Sequence, residues 1–181
     1  RNPELEVSLA DEHVATLRNT RDGLELAYLP ATVSRVGIGG VCLSMALRVD
    51  RKPVKGAPVE RWTEGLLPEG EARTVIEDRF GVRRGDTFGL LSKVGRDCAG
   101  AVSFVGDIDH PREAALGPIS PEELEQQIAD LPQHPLGADE EVPVSLAGLQ
   151  HKLLLVRTAD GWARPLHGQP SSHILKPDPF A

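Results

Sequence analysis

Aromatic residues are scarce: two Trp, one Tyr and four Phe in 181 positions. A core of ordinary size must therefore be filled by Leu, Val, Ile and Ala. Only two cysteines occur, Cys42 and Cys98. No Cys-x-x-Cys pair exists and the six histidines are scattered, which argues against a structural zinc site. A disulfide between the two cysteines is arithmetically open, but isolated thiols in such a composition are expected to stay reduced, in a cytoplasmic protein. No apolar run approaches the ~18 residues that a membrane helix needs, so no membrane partner is expected. No charged-then-apolar leader opens the chain, which starts at Arg1 rather than Met. Basic charge is also short. Lys and Arg number 20 against 27 Asp and Glu, a net charge of −7, which speaks against general nucleic-acid binding.

What is present suits a globular chain of one sizeable domain or two small ones. Eighteen Gly and fifteen Pro predict many fixed turns. The charge is uneven. Residues 1–143 carry a net −9, whereas residues 144–181 carry +2 and three histidines. The last fifth is the stretch most hospitable to an anion.

The pattern predicts an α+β fold. Leu5, Val7 and Leu9 alternate with polar residues at the period of a half-buried strand. A turn at Asp11-Glu12 returns 14–18 against it, and Asp22-Gly23 is a hairpin signal before Leu24, Leu26 and Tyr28. Leu43, Met45 and Leu47 predict a fourth alternating strand. Ala72, Val75, Ile76 and Phe80 share a helical face that Gly81 can close. Asp86 can cap a short helix carrying Leu90, Leu91 and Val94, ended by Gly95. Residues 101–105 form an apolar strand. Residues 1–107 thus read as a β-meander and helix subdomain.

Residues 108–143 read as an acidic linker around one helix. Ser120-Pro121-Glu122-Glu123 is a capping box with proline at the first helical position. Residues 144–181 are again β. Leu153–Val156 is apolar, Asp160-Gly161 turns the chain, 162–166 returns, and 172–176 forms a third strand. The face of 153–156 and 172–175 is expected to be apolar and exposed.

Two features of that last segment carry chemistry. The first is Ser145-Leu146-Ala147-Gly148-Leu149-Gln150-His151-Lys152, a stretch with small residues leading into a strand. Small side chains let backbone N–H groups approach an anion. The second is Lys176, closing an apolar strand 28 residues after Gly148. Either alone fits a plain turn or a solvent-facing strand end. Together they match the order loop, hairpin, lysine by which kinases hold nucleotide phosphates.

The same residues, with Pro170–Pro177, closely resemble the HipA family of serine/threonine kinases, the toxins of type II toxin–antitoxin modules. Upstream, Leu66-Leu67-Pro68-Glu69-Gly70, Phe88-Gly89-Leu90-Leu91 and Gly95-Arg96-Asp97-Cys98-Ala99-Gly100-Ala101 resemble further family elements. The likeness runs from about residue 5 to residue 177. It implies a kinase-like N-lobe of antiparallel strands starting at 144. Ala147, Gly148, Leu149, Gln150, His151 and Lys152 match the family's nucleotide loop, and Lys176 its ATP-contacting lysine. Ser145 matches the serine whose autophosphorylation ejects the loop. The resemblance further implies ATP and Mg2+ as cofactors, a translation component of the aminoacyl-tRNA synthetase class as substrate, and a small helix-turn-helix antitoxin, HipB-like, as partner. DNA would be reached only through that antitoxin.

The chain also departs from the family. No His-x-Asp or Asp-Phe-Gly motif occurs in it, so the catalytic and metal-binding aspartates are expected on a C-terminal lobe that follows. No catalytic or metal residue is assigned here, and these 181 residues are expected to be inactive alone. The alternative is a stand-alone interaction module related to the family's N-terminal subdomain. Outside these motifs, Arg48, Arg51, Lys52 and Lys55 read as a solvated basic cluster. Trp62 and Trp162 read as core or rim aromatics, and Glu69 and Asp97 as capping or turn residues.

Overall fold

A computed structural model describes residues 3–96, 98–106, 115–131, 152–166 and 169–177. The elements run β1 (Glu4–Leu9), β2 (Glu12–Thr20), β3 (Gly23–Tyr28), α1 (Pro30–Val36), β4 (Val41–Ser44), β5 (Leu47–Arg48), β6 (Val54–Lys55), α2 (Ala57–Glu64), α3 (Gly70–Arg79), α4 (Thr87–Val94), β7 (Val102–Gly106), β8 (Ala115–Ile119), α5 (Pro121–Asp130), β9 (Leu153–Thr158), β10 (Gly161–Leu166) and β11 (His173–Leu175). The α+β class holds. One sheet has the order β6-β3-β2-β1-β7 and another β11-β9-β10-β8, both antiparallel throughout, and β4 and β5 make a small hairpin.

The meander forms as its alternation predicts, with the first turn one residue earlier than expected. Ala10 and Asp11 both take positive φ, 49° and 68°, the requirement of a two-residue turn that matches strand twist. A register shift after Val7 places an extra residue in β2. Val14 and Ala15 are consequently both buried, which strict alternation would forbid.

The helices close this sheet. In α3, Ala72 and Ile76 are buried, while Val75 and Phe80 are half-buried. Its end is a Schellman turn: Gly81 N–H donates to Asp78 O, Val82 N–H donates to Glu77 O, and Gly81 has φ +62°. Asp86 caps α4 by accepting from Gly89 N–H at 2.9 Å. Gly95 ends α4 for a different reason from Gly81. Its φ is −79°, but a Cβ there would lie 2.9 Å from Phe104 Cβ, so close packing on β7 demands glycine. Leu, Val and Ile side chains dominate the shared core, joined by Phe88, Phe104 and Tyr28.

Three expectations change. Leu43, Met45 and Leu47 do not share one strand: residues 41–44 and 47–48 form a hairpin, and Met45 stands 73% exposed at its turn. Two short helices, α1 and α2, fill stretches without a predicted element. The stretch expected to be linker contains β8, which pairs with β10 in the second sheet. Within it, α5 has the predicted capping box, with Ser120 Oγ accepting from Glu123 N–H and Glu123 Oε2 accepting from Ser120 N–H. Neither cysteine forms a disulfide. No helix among the described residues is long and apolar enough to cross a membrane.

Candidate functional site

The second sheet brings two lysines together. The β9–β11 register pairs Leu155 with His173, Leu154 with Ile174 and Leu153 with Leu175. Continued by one residue, it sets Lys152 opposite Lys176. Period 2 places both on the face that carries Leu154 and Ile174. Lys152 is buried, at 7% exposure, while Lys176 is exposed.

Burial is the main reason the Lys152 ammonium falls below the ordinary lysine pKa. The positive charge of Lys176 pushes it the same way, and the carboxylate of Glu69 opposes both. Like charges opposite one another weaken a sheet. The same pair is a ready receptor for an anion, since a phosphate between two ammonium groups replaces repulsion with charge-assisted hydrogen bonds. The residues present therefore fit the phosphates of a nucleotide. Among the described residues no group of three or more His, Cys, Asp and Glu could hold a metal ion, so no side chain is assigned to Mg2+.

Of the predicted site residues, Lys152 and Lys176 are described and are brought together. Ser145, Ala147, Gly148, Leu149, Gln150 and His151 lie outside the described residues, as does Asp97. Glu69 is the group the sequence reading placed elsewhere. It stands at the N-cap of α3 but accepts no capping hydrogen bond with its side chain, and its charge is the least of the three influences on the Lys152 pKa, after burial and Lys176. The Leu66–Gly70 motif was its signal, but nothing in the local sequence ties its charge to Lys152.

The expected exposed apolar face is also corrected. Leu153, Leu154 and Leu155 are all buried, and of the apolar residues in 153–156 and 172–175 only Ile174 is exposed, at 52%. On the other face of this sheet, Arg157 lies over the Trp162 ring at 4.9 Å, and His173 meets that ring edge-on at 5.0 Å. Ser172 Oγ accepts from Arg157 N–H and bonds His173 Nδ1 at 2.8 Å, which ties β11 to β9. A cleft of about 370 Å³ lies in the first region, between β3, α2 and the start of α4, and neither lysine lines it.

Known proteins align with this chain along most of its length. A family described as HipA N-terminal domain matches residues 5–105. The serine/threonine-protein kinase toxin HipA of Shewanella oneidensis is 36% identical over 112 residues, 61% of this chain and 26% of that protein. The protein Y4dM of Sinorhizobium fredii is 32% identical over 181 residues, 95% of this chain and 41% of that protein. A solved structure of the Shewanella oneidensis MR-1 toxin–antitoxin system, with HipA, HipB and its operator DNA, matches with a TM-score of 0.70 and 27% identity. That match covers 94% of this chain and 39% of the other. The chain spans between about a quarter and two fifths of the length of the curated relatives it matches.

Proposed function

The chain belongs to the HipA family, and from that premise we propose that it is the N-terminal part of a serine/threonine protein kinase toxin that uses ATP. The observation that carries this reading is the Lys152–Lys176 pair at one end of β9 and β11. Residues 147–152 supply the phosphate loop, with backbone N–H groups and the Lys152 ammonium toward the phosphates. Lys176 supplies the second cation. ATP brings the transferable phosphoryl group, and Mg2+ with a base for the accepting hydroxyl belongs to a C-terminal lobe. Positioning and electrostatics supply nearly all of phosphoryl-transfer catalysis, so residues 1–181 alone bind but do not turn over. Ser145 is the regulatory site: a phosphate there adds about −1.5 to −2 charges beside the ATP phosphates. The substrate is a translation component of the aminoacyl-tRNA synthetase class. The partner is a HipB-like antitoxin, a reading supported by the company in which the Shewanella HipA was solved. The protein acts in the cytoplasm.

Calorimetry with ATP tests the site. Lys176→Ala is expected to weaken binding at least about tenfold, because a charge-assisted contact to phosphate contributes ~1.5–3 kcal/mol. Unchanged affinity removes Lys176 from the site. Mass spectrometry of the protein expressed with its C-terminal lobe is expected to find phosphate on Ser145. Phosphate on Ser171 or Ser172 alone overturns the loop assignment.

A further inference from the structure

Lys176 is held by a short strand. Among the described residues β11 pairs three residues, 173–175, with β9 and lies at the edge of its sheet. Pro177 has no N–H to carry the ladder past Lys176. A slip of one residue turns every side chain of a strand to the other face, so a slip of β11 would turn Lys176 away from Lys152. The register is held at the other end of the strand. Ser172 N–H donates to Leu155 O at 3.0 Å, and the Ser172 hydroxyl oxygen, rather than a backbone carbonyl, accepts from Arg157 N–H at 3.0 Å. The same oxygen lies 2.8 Å from His173 Nδ1 and 3.5 Å from Leu155 O. His173 meets the Trp162 ring edge-on at 5.0 Å, and Arg157 lies over that ring at 4.9 Å. Trp162 is opposite Arg157 in the β9–β10 register. The cluster therefore spans three strands on the face away from the lysines.

We propose that Ser172 is a positioning residue: its hydroxyl, bonded to Arg157 N–H and backed by His173 on Trp162, pins the register that sets Lys176 opposite Lys152. The proposal rests on the nucleotide reading of Lys176 and deepens it, since the phosphate contact then depends on a hydroxyl on the opposite face of the sheet. One hydrogen bond counts for more in a ladder of three pairs than in a long strand, because fewer bonds resist a slip. The facing ammonium groups also work against pairing at the lysine end, and the Ser172 end offsets them.

The test uses the 181-residue chain, ATP and inorganic tripolyphosphate as probes, and the variants Ser172→Ala, Ser172→Thr, Lys176→Ala and Ser172→Ala with Lys176→Ala. Without any ligand, hydrogen exchange at the Arg157 amide reads the pin directly. Ser172→Ala is expected to speed that exchange about tenfold, the effect of one lost hydrogen bond. Ser172→Thr, which keeps the hydroxyl, is expected to leave it as in the parent. Both probes are expected to bind Ser172→Ala about threefold to tenfold more weakly, and Ser172→Thr as tightly as the parent. In the Lys176→Ala background, Ser172→Ala is expected to cost no further affinity, because the hydroxyl acts through that lysine. A general loss of structure would weaken binding in both backgrounds. Probes that bind Lys176→Ala as they bind the parent overturn the nucleotide reading at Lys176, and the Arg157 amide still decides the pin. Three outcomes overturn the role of Ser172 alone: Arg157 exchange that Ser172→Ala leaves unchanged, probes that need Lys176 but bind Ser172→Ala as tightly as the parent, or a loss of equal size with and without Lys176.

Discussion

The region from β1 to β7 and the region from β8 to β11 solve the problem of burial differently. The first packs Leu, Val and Ile side chains from a five-stranded sheet and its helices around Phe104 and Phe88. Its buried polar groups are each bonded nearby: Thr32 Oγ1 donates to Val14 O, Thr63 Oγ1 to Val59 O, and Glu77 accepts from Arg73 Nε and Gly85 N–H. Among the described residues the second buries a shorter set, chiefly Ile119, Leu131, Leu153, Leu154, Leu155 and Ala163, and with them Lys152. Leu116 and Ile174 stay exposed on it. Among the described residues, apolar burial is greatest in the first region, and the buried ammonium with a like charge opposite it lies in the second. An ammonium opposite another ammonium works against the pairing of two strands, and the apolar residues around Lys152 offset that cost.

The largest effect should separate the two cores. Phe104 is 1% exposed, its ring lies 5.8 Å from that of Trp62, and its Cβ packs where Gly95 has none. Phe104→Ala is expected to cost ~3–5 kcal/mol, transfer plus an unfilled cavity. Leu155, also 1% exposed, lies outside the cluster that holds Phe104, with fewer buried apolar residues among those described in its region. Leu155→Ala is expected at the low end of the aliphatic range, about 2 kcal/mol. Urea unfolding followed by Trp fluorescence measures both. The reverse order would break the contrast between a deep core and a thin one.

How much of this was legible follows the range of the forces involved. The meander, the capped starts of α4 and α5, and the β9–β10 hairpin are local patterns, set by residues within a few positions of one another. Asp86 and Ser120 announce their helices because the groups they satisfy are three residues away. The β4–β5 hairpin was misread because Leu43, Met45 and Leu47 alternate, while a turn at 45–46 interrupts them. Nothing in that alternation distinguishes a strand from two. Helix α2 was missed because its buried positions, Val59 and Thr63, include a polar residue whose hydroxyl bonds back to Val59 O. In the site, Lys152 and Lys176 were legible as loop end and strand end. Their meeting depends on the β9–β11 register, between strands some 20 residues apart in sequence, beyond the reach of any local pattern.

Alkaline pH should act on the two regions with opposite sign. Tyr28 in the first sheet donates its hydroxyl to Leu47 O at 2.6 Å, and burial pushes its pKa up to about 12. Its folded form holds the proton longer than the unfolded form, so its contribution is fully present below the ordinary pKa near 10 and is lost as pH rises toward 12. Lys152 is shifted the other way, down from 10.5 by burial, then by Lys176. There the unfolded chain binds more protons, so stability rises with pH as the ordinary lysine pKa is approached from below. Urea midpoints taken from pH 8 upward are expected to lose their fall above pH 10 in Tyr28→Phe and their preceding rise in Lys152→Met. At neutral pH, Tyr28→Phe is expected to cost about 1 kcal/mol, the net worth of one hydrogen bond. A fall above pH 10 that survives Tyr28→Phe would locate the alkaline weakness outside the first core.

The smallest effect comes from a residue that composition alone would place inside. Met45 is the one methionine of the chain and stands 73% exposed at the β4–β5 turn, and Ile38 and Val41 are also exposed, at 61% and 45%. The hairpin is held from beneath, where Leu47 is fully buried and Tyr28 bonds its carbonyl, and by Val49 N–H donating to Gly40 O. Removing the Met45 side chain therefore opens no cavity and leaves no partner unsatisfied. Met45→Lys is expected to change stability by no more than ~0.5 kcal/mol, the range of ordinary surface substitutions. It also adds a cation to a stretch that already holds Arg48, Arg51 and Lys52, and solvent screening keeps that repulsion small. A thermal melt that drops by several degrees would mean that Met45 is covered in solution, and would move the hairpin from the rim of the first region into its core.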